Sequence, residues 1–151
     1  IDDFKRGFHD WYTINGNHRL LWQHWARKVT DHKWRGPKGA KLVLTIQSDQ
    51  PNVLGIVLHE NTWRNYRGKK RSYVAEAKLK GGKVETVALD LSDFKNVTDG
   101  VPLKNWDELD ELGFVAKATI RGTKPIEVAA DLWQGPKPVF KRLEWVLPLK
   151  D

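Results

Sequence analysis

Three segments of the 151-residue chain place a tryptophan beside a planar hydrogen-bond donor, close to a glycine or proline. They are Trp34-Arg35-Gly36-Pro37, Trp63-Arg64-Asn65-Tyr66-Arg67 and Trp133-Gln134-Gly135-Pro136. A flat indole offers apolar area to the C–H face of a sugar ring, and a guanidinium or amide offers directional hydrogen bonds to its hydroxyls. The segments therefore predict a saccharide-binding surface on which the three indoles are partly exposed and share one face. The alternative is that each indole anchors its own loop to the core.

A second set of candidates lies on two predicted strands, residues 8–14 and 20–29. Eight tryptophans are many for a core, because each buried indole N–H needs a partner. Alternate residues of a strand share a face, so either Trp22 with His24 or Gln23 with Trp25 points to solvent. The pattern leaves both arrangements open, and His24 and Trp25 are kept as candidate ligand-binding residues. Trp106 and Trp145 lie among apolar neighbours and are predicted to be core residues.

The segment around Trp63 and Tyr66 is also basic. Its charged residues are Arg64, Arg67, Lys69, Lys70 and Arg71. The whole chain has a net charge of +7, and residues 1–75 hold 14 basic against 6 acidic residues. Such a cluster could bind carboxylate or sulfate groups of a glycan, or nucleic-acid phosphates. It could equally be a solvated basic loop. We favour a neutral ligand, because a basic loop that is merely solvated is the commoner occurrence. Nucleic acid is disfavoured, because no RNA-recognition, KH or zinc-finger signature is present.

The sequence lacks residues that are characteristic of several classes of enzyme. Cysteine is absent, which excludes thiolate metal sites and cysteine nucleophiles. None of the three serines lies in a Gly-x-Ser-x-Gly elbow, and the five histidines have no metal-ligand spacing. The acidic segment Asp107-Glu108-x-Asp110-Glu111 could supply paired carboxylates, but its spacing favours solvent-facing charges on one helical turn over residues 105–111. The sequence therefore predicts a protein that is not an enzyme.

The elements that must position these residues are predominantly strands. Alternating or apolar segments bounded by turn residues cover 8–14, 20–29, 40–48, 53–59, 71–79, 83–90, 113–120, 126–130 and 139–147. Apart from a second single turn at 92–96, no helix is predicted. Eight or nine strands at near-regular spacing predict an all-β, two-sheet antiparallel sandwich that forms a single domain over residues 1–151. No apolar run approaches the roughly 18 residues that a membrane span requires.

The order of several motifs in the second half of the chain is similar to that of a known family. The motifs are the strand at 84–90 followed by Leu91-Ser92-Asp93-Phe94, the segment Pro102-Leu103-Lys104-Asn105-Trp106-Asp107-Glu108-Leu109-Asp110-Glu111-Leu112-Gly113-Phe114, and the last strand at 140–146. In order, over roughly residues 84–147, they resemble β-jelly-roll carbohydrate-binding modules of the galactose-binding-domain-like type. The resemblance implies a jelly roll.

What the resemblance implies for function is non-catalytic binding of a plant or microbial polysaccharide. Exposed Trp and Tyr would stack on sugar rings, and Arg, Gln, Asn and His would donate hydrogen bonds. The module would belong to a larger secreted carbohydrate-active enzyme, whose other domains would be its partners. A neutral β-glucan or xylan is favoured over an anionic glycan as the ligand. No interaction with a membrane is expected. The alternatives are a structural or interaction sandwich without a ligand, and a small jelly-roll hydrolase or lyase acting on glycans.

The resemblance also implies one structural calcium ion between the chain ends. Asp2 and Asp3 near the start and Glu144 near the end are the candidate ligands. Calcium takes six to eight oxygens, so these carboxylates would need backbone carbonyls to complete the shell. Family members often end in an Asp-rich strand, whereas this chain has the single acid Glu144 there.

Overall fold

A computed structural model describes residues 1–8, 11–15, 22–27, 32–60, 71–116, 118–120, 126–128 and 133–148. The strands are β1 (Tyr12–Asn15), β2 (Trp22–Arg27), β3 (Lys41–Gln47), β4 (Asn52–Glu60), β5 (Arg71–Leu79), β6 (Val84–Leu89), β7 (Lys95–Asn96), β8 (Leu109–Val115), β9 (Ala118–Ile120), β10 (Ile126–Val128) and β11 (Val139–Val146). Two single-turn 3-10 helices span His32–Trp34 and Leu91–Asp93. In this described part of the chain there is no α-helix, and no helix is long and apolar enough to cross a membrane.

The strands form antiparallel sheets. A large sheet has the order β1-β2-β8-β4-β5-β7, a small sheet has the order β11-β3-β6, and β9 pairs with β10. The large and small sheets enclose the main hydrophobic core. The prediction of an all-β, two-sheet antiparallel sandwich with a single domain is therefore confirmed.

Alternating side chains explain why these segments become strands. On β3, Leu42, Leu44 and Ile46 are at most 1 % exposed, whereas the residues between them are half-buried. On the facing β4, Leu54 and Ile56 are fully buried. Each such side chain contributes about 1.5–3 kcal/mol relative to an exposed one. The period-two pattern of the sequence thus sets which face of each strand meets the core.

The segment around residues 105–111 differs from the prediction. No helical turn is present; Leu109 begins β8, which pairs with β4. Asp110 and Glu111 are buried instead of facing solvent. Strand pairing overrides the helical turn that the local charge spacing favours, because β8 lies between β2 and β4 in the large sheet. The first predicted strand also starts later than expected, at Tyr12.

The antiparallel strands place the connecting segments at two opposite ends. At one end β4 finishes with Glu60 and β5 begins with Arg71, beside the start of β8; we call it the Arg71 end. At the other, β4 begins with Asn52 and β5 finishes with Leu79; we call it the Asn52 end. The register of β4 with β8 shifts between His59 and Glu60, a β-bulge that bends the strands where they reach the Arg71 end.

Candidate functional site

A polar cleft of about 340 Å³ opens at the Arg71 end of the sandwich. Its lining includes Glu60, Arg71, Tyr73, Asn96, Asn105 and Glu108. Strands β4 and β5 contribute the first three of these residues, and the connection from β7 to β8 contributes the last two. The volume lies in the range of small-ligand sites. We refer to this feature as the polar cleft.

Arg71 is held in a fixed orientation inside the polar cleft. Its Nε lies 2.9 Å from Oε2 of Glu60, and its Nη2 lies 2.9 Å from Oε2 of Glu108. The side chain of Glu60 is 6 % exposed, so one of the two partners is part of the protein interior. No contact of Nη1 with another described residue is seen, so its two N–H groups remain as donors for a ligand.

Burial dominates the electrostatics of Glu60. Loss of hydration raises the pKa of this carboxyl above its usual range, and the neighbouring Glu108 and Asp110 raise it further, whereas Arg71 lowers it. The guanidinium therefore compensates part of the cost of burying this carboxylate. The result is a positioned ion pair in the lining of the polar cleft.

Two asparagines that line the cleft each use their side-chain oxygen within their own turn. Oδ1 of Asn96 accepts a hydrogen bond from the N–H of Thr98 at 2.8 Å. Oδ1 of Asn105 accepts one from the N–H of Asp107 at 3.1 Å. Neither Nδ2 group has a partner among the described residues. The turns thus orient both amides and leave their N–H groups available for acceptors on a ligand.

Residues 61–70 join Glu60 to Arg71 in the sequence, and both of these flanking residues line the polar cleft. The predicted ligand-binding residues Trp63, Arg64, Tyr66 and Arg67 belong to this segment, as do Lys69 and Lys70, and all of them lie outside the described residues. Arg71, the last member of the predicted basic cluster, lies in the cleft. Tyr73 follows on the same strand with its ring buried in the core.

The structure does not place Trp34 and Trp133 on the surface that they were predicted to share with Trp63, which itself lies outside the described residues. Trp34 is 6 % exposed and Trp133 is 1 % exposed. Their indoles pack edge-on against Trp11 and Trp22 at ring-centroid distances of 5.3 and 5.2 Å. Both rings supply apolar volume to the core, so neither can stack on a polysaccharide.

The segments of Trp34 and Trp133 are also far apart. Trp34 precedes β3 at the Arg71 end, whereas the backbone of Gln134 is hydrogen-bonded to Asn52 at the opposite end. Arg35 is half-buried and Gln134 is exposed, so these two donors belong to different surfaces.

His24 faces the core, which makes its predicted contact with a ligand wrong. The ring is 1 % exposed and stacks on Phe8 at 3.6 Å. Neither ring nitrogen has a hydrogen-bond partner among the described residues. Burial, with a smaller contribution from Lys137, lowers the pKa of His24 to about 3. The imidazole is therefore neutral and acts as an aromatic core residue.

Trp25 lies on the outer face of the large sheet. Its indole covers Gly113, where a Cβ atom would come within 2.2 Å of the ring, and it stacks on His59 at 5.4 Å. The indole N–H donates to Gln23 at 3.0 Å. Trp25 is only 9 % exposed, so its large apolar area packs against the protein, contrary to the surface role predicted for it. Of the predicted core tryptophans, Trp106 is buried and Trp145 is half-buried against it.

The candidate calcium ligands do not form a metal site. The carboxylate of Asp2 accepts hydrogen bonds from the N–H of Phe4 and the indole of Trp11, both at 2.8 Å. Glu144 is ion-paired with Arg142. Among the described residues, no group of three or more His, Cys, Asp or Glu side chains is placed to hold a metal ion. Asp2, Asp3 and Glu144 therefore do not fit the coordination shell that calcium requires.

Comparison of the chain with protein-family models, curated proteins and solved structures finds no match. No related protein therefore indicates a ligand for the polar cleft, and its chemistry follows from the residues that line it. Glu60, Tyr73, Asn96, Asn105 and Glu108 were absent from the sequence-based site, although the position of Glu60 directly before the basic segment was an available signal. Together with Arg71 these side chains present several oriented donors and acceptors in a small space, an arrangement suited to a ligand with many hydroxyl groups.

Proposed function

We propose that this chain is a non-catalytic polysaccharide-binding module and that the polar cleft is its binding site. The observation that supports the proposal is the set of oriented N–H donors, Arg71 Nη1 and the amides of Asn96 and Asn105, around a cleft of about 340 Å³. Sugar hydroxyls need donors and acceptors at fixed positions, and preorganised groups reduce the entropy cost of binding.

The sequence adds the aromatic component of the proposal. Trp63 and Tyr66 belong to the segment that joins Glu60 to Arg71, and stacking of either ring on a sugar would complement the hydrogen bonds of the cleft. As in the modules that the sequence resembles, the domain would act as part of a larger secreted carbohydrate-active enzyme. It would raise the local concentration of that enzyme on an extended substrate.

Affinity electrophoresis on a panel of soluble polysaccharides tests the proposal with two matched arginine variants. Arg71→Met removes the central donor of the cleft, and we expect it to weaken binding by about 1.5–3 kcal/mol, as for a hydrogen bond to a charged group. Arg142→Met removes an exposed arginine on β11, paired with Glu144, and should leave binding unchanged. Equal retention of both variants and the unaltered protein, or no retention on any polysaccharide, would contradict the proposal; the latter would favour a structural or interaction sandwich.

Glycan hydrolysis is the second candidate, because two carboxylates, Glu60 and Glu108, share the cleft. The observed pairing disfavours it, since Arg71 stands between the two acids where a glycosidic bond would have to lie. A reducing-sugar assay on the same panel separates the candidates. Release of reducing ends that is lost in Glu60→Gln would establish the enzyme.

A further inference from the structure

The donors of Arg71 are already shared between two carboxylates. An arginine that recognises a uronate or sulfate presents two parallel N–H groups to the two oxygens of one anion. In the polar cleft, Nε is instead engaged by Glu60 and Nη2 by Glu108, each at 2.9 Å. Two of the five N–H groups of the guanidinium are therefore occupied by the protein's own acids, whose two negative charges already exceed its single positive charge; two N–H groups on Nη1 and one on Nη2 are left.

The charge of the cleft points in the same direction. Its described lining has three acidic residues, Glu60, Asp99 and Glu108, against two basic residues, Arg71 and Lys104. An incoming carboxylate would meet a described lining whose formal charge is negative, at distances where like charges repel. A hydroxyl group carries no charge, so it can still accept from Nη1 or donate to a carboxylate oxygen.

We infer that the polar cleft selects uncharged glycans and that Glu108 sets this selection, by its negative charge and by occupying one N–H group of Arg71 Nη2. The inference rests on the proposed function. Glu108 is the better candidate of the two acids because its side chain is 57 % exposed, whereas Glu60 is part of the interior. Removal of the Glu108 charge replaces a charge-assisted contact of Nη2 by a weaker neutral one and removes one repulsive charge, without opening the core.

The basic segment 61–70 provides the opposing hypothesis. Its four cations, Arg64, Arg67, Lys69 and Lys70, adjoin the cleft in sequence and could attract an anionic glycan themselves. If they dominate, the unaltered protein binds an anionic polysaccharide at least as tightly as its neutral counterpart. If the cleft dominates, the order is reversed, so the two hypotheses are distinguished by one comparison.

The test compares two ligand pairs that share a backbone and differ in charge. These are hydroxyethyl cellulose with carboxymethyl cellulose, and arabinoxylan with glucuronoxylan. Binding is measured for the unaltered protein, for Glu108→Gln, and for Asp107→Asn as a control with the same change of charge at the neighbouring residue. Asp107 has its main-chain N–H bonded to Asn105, and its carboxylate is not paired with Arg71. Melting temperatures establish that all three proteins are folded.

We expect the unaltered protein and Asp107→Asn to prefer the neutral member of the pair whose backbone is bound. Glu108→Gln should gain affinity for the charged member by roughly tenfold, the size expected when a ligand carboxylate displaces the neutral amide from Nη2 and makes one charge-assisted contact. Equal or tighter binding of the charged member by the unaltered protein overturns the inference, as does an equal gain in both variants or in neither. Those results leave the proposed function intact, whereas failure of every polysaccharide to bind overturns the proposed function and this inference together.

Discussion

The two ends of the sandwich use asparagine in different ways. At the Asn52 end, the side chain of Asn52 donates to the carbonyl of Gln134 at 2.9 Å and accepts from its N–H at 2.7 Å. Both groups of the amide are thereby committed to the main chain of another segment. At the Arg71 end, the side-chain oxygens of Asn96 and Asn105 accept hydrogen bonds within their own turns, and their Nδ2 groups have no partner in the part of the chain that the structure describes. One end is closed by its asparagine, and the other is left with groups that a ligand can use.

Glycine completes the closure of the Asn52 end. Gly81 has a φ of 80°, and a Cβ atom there would lie 2.4 Å from the main-chain carbon of Gln50. The N–H of the next residue, Gly82, donates to the carbonyl of Ser48 at 2.8 Å. Because the two turns touch through their backbones, no cleft can form between them. The comparison shows that a polar loop is a candidate site only when its polar groups are not already bonded to a neighbouring loop.

Replacement of Trp133 is expected to have the largest effect. Trp133→Ala removes a fully buried indole behind the Asn52 end, and we expect the free energy of unfolding to fall by about 3–5 kcal/mol, the usual cost of a large cavity. Chemical denaturation measures this loss. Binding to polysaccharide by the remaining folded protein should be unchanged. Weakened binding with an unchanged melting temperature would instead make the Asn52 end the binding surface and break the comparison.

The pH dependence of stability should be dominated by His24, whose ring also touches Trp22 near the Asn52 end. The pKa of His24 is about 3 in the folded protein and 6.5 in the unfolded chain, so only the unfolded state gains a proton between these values. Stability is therefore complete above pH 6.5 and falls below it, by about 2 kcal/mol between pH 7 and pH 5. Urea titrations at several pH values measure the slope.

His24→Leu is the control for this pH dependence, because it keeps an apolar side chain in the core and removes the titrating group. In this variant, the loss of unfolding free energy between pH 7 and pH 5 should be smaller by about 2 kcal/mol. Glu60 acts with the opposite sign: its raised pKa means that ionisation costs stability as the pH rises through the acid's titration. A slope that is the same in the variant would show that His24 is protonated without penalty in the folded protein.

The strands were predictable from sequence because burial alternates along them. Leu42, Leu44 and Ile46 mark the core face of β3 without knowledge of its neighbours, and the bounds of β5 agree with the prediction. The face of β2 was not predictable, since both alternatives carried one tryptophan. Its assignment depends on Gly113 of the adjacent β8, whose missing side chain makes room for Trp25 on the outer face.

The site was predictable only in part. Arg71 was named in the basic cluster because it is close in sequence to other cations, but it was not among the predicted ligand-binding residues. Its partners Glu60 and Glu108 are separated by 48 residues and meet only through strand pairing. The indoles of Trp34 and Trp133 were assigned to the surface because the segments around them are polar. A polar turn can still direct its one large ring inward, as when the N–H of Trp133 is satisfied by the carbonyl of Pro136.

The smallest expected effects come from a matched pair of asparagine variants, one at each end. Asn52→Ala removes the two hydrogen bonds to the backbone of Gln134 and should lower the free energy of unfolding by about 1–2 kcal/mol. Asn105→Ala removes one exposed hydrogen bond within a turn, and the loss should be about 0.5 kcal/mol, the low end for such a bond.

For polysaccharide affinity the order of the two variants should reverse, with the larger loss in Asn105→Ala, because of these two residues only Asn105 presents its amide to the polar cleft. Denaturation curves and affinity electrophoresis on the same two proteins measure both quantities. If Asn52→Ala weakens binding as much as Asn105→Ala does, the two ends are not functionally distinct and the polar cleft is not the site.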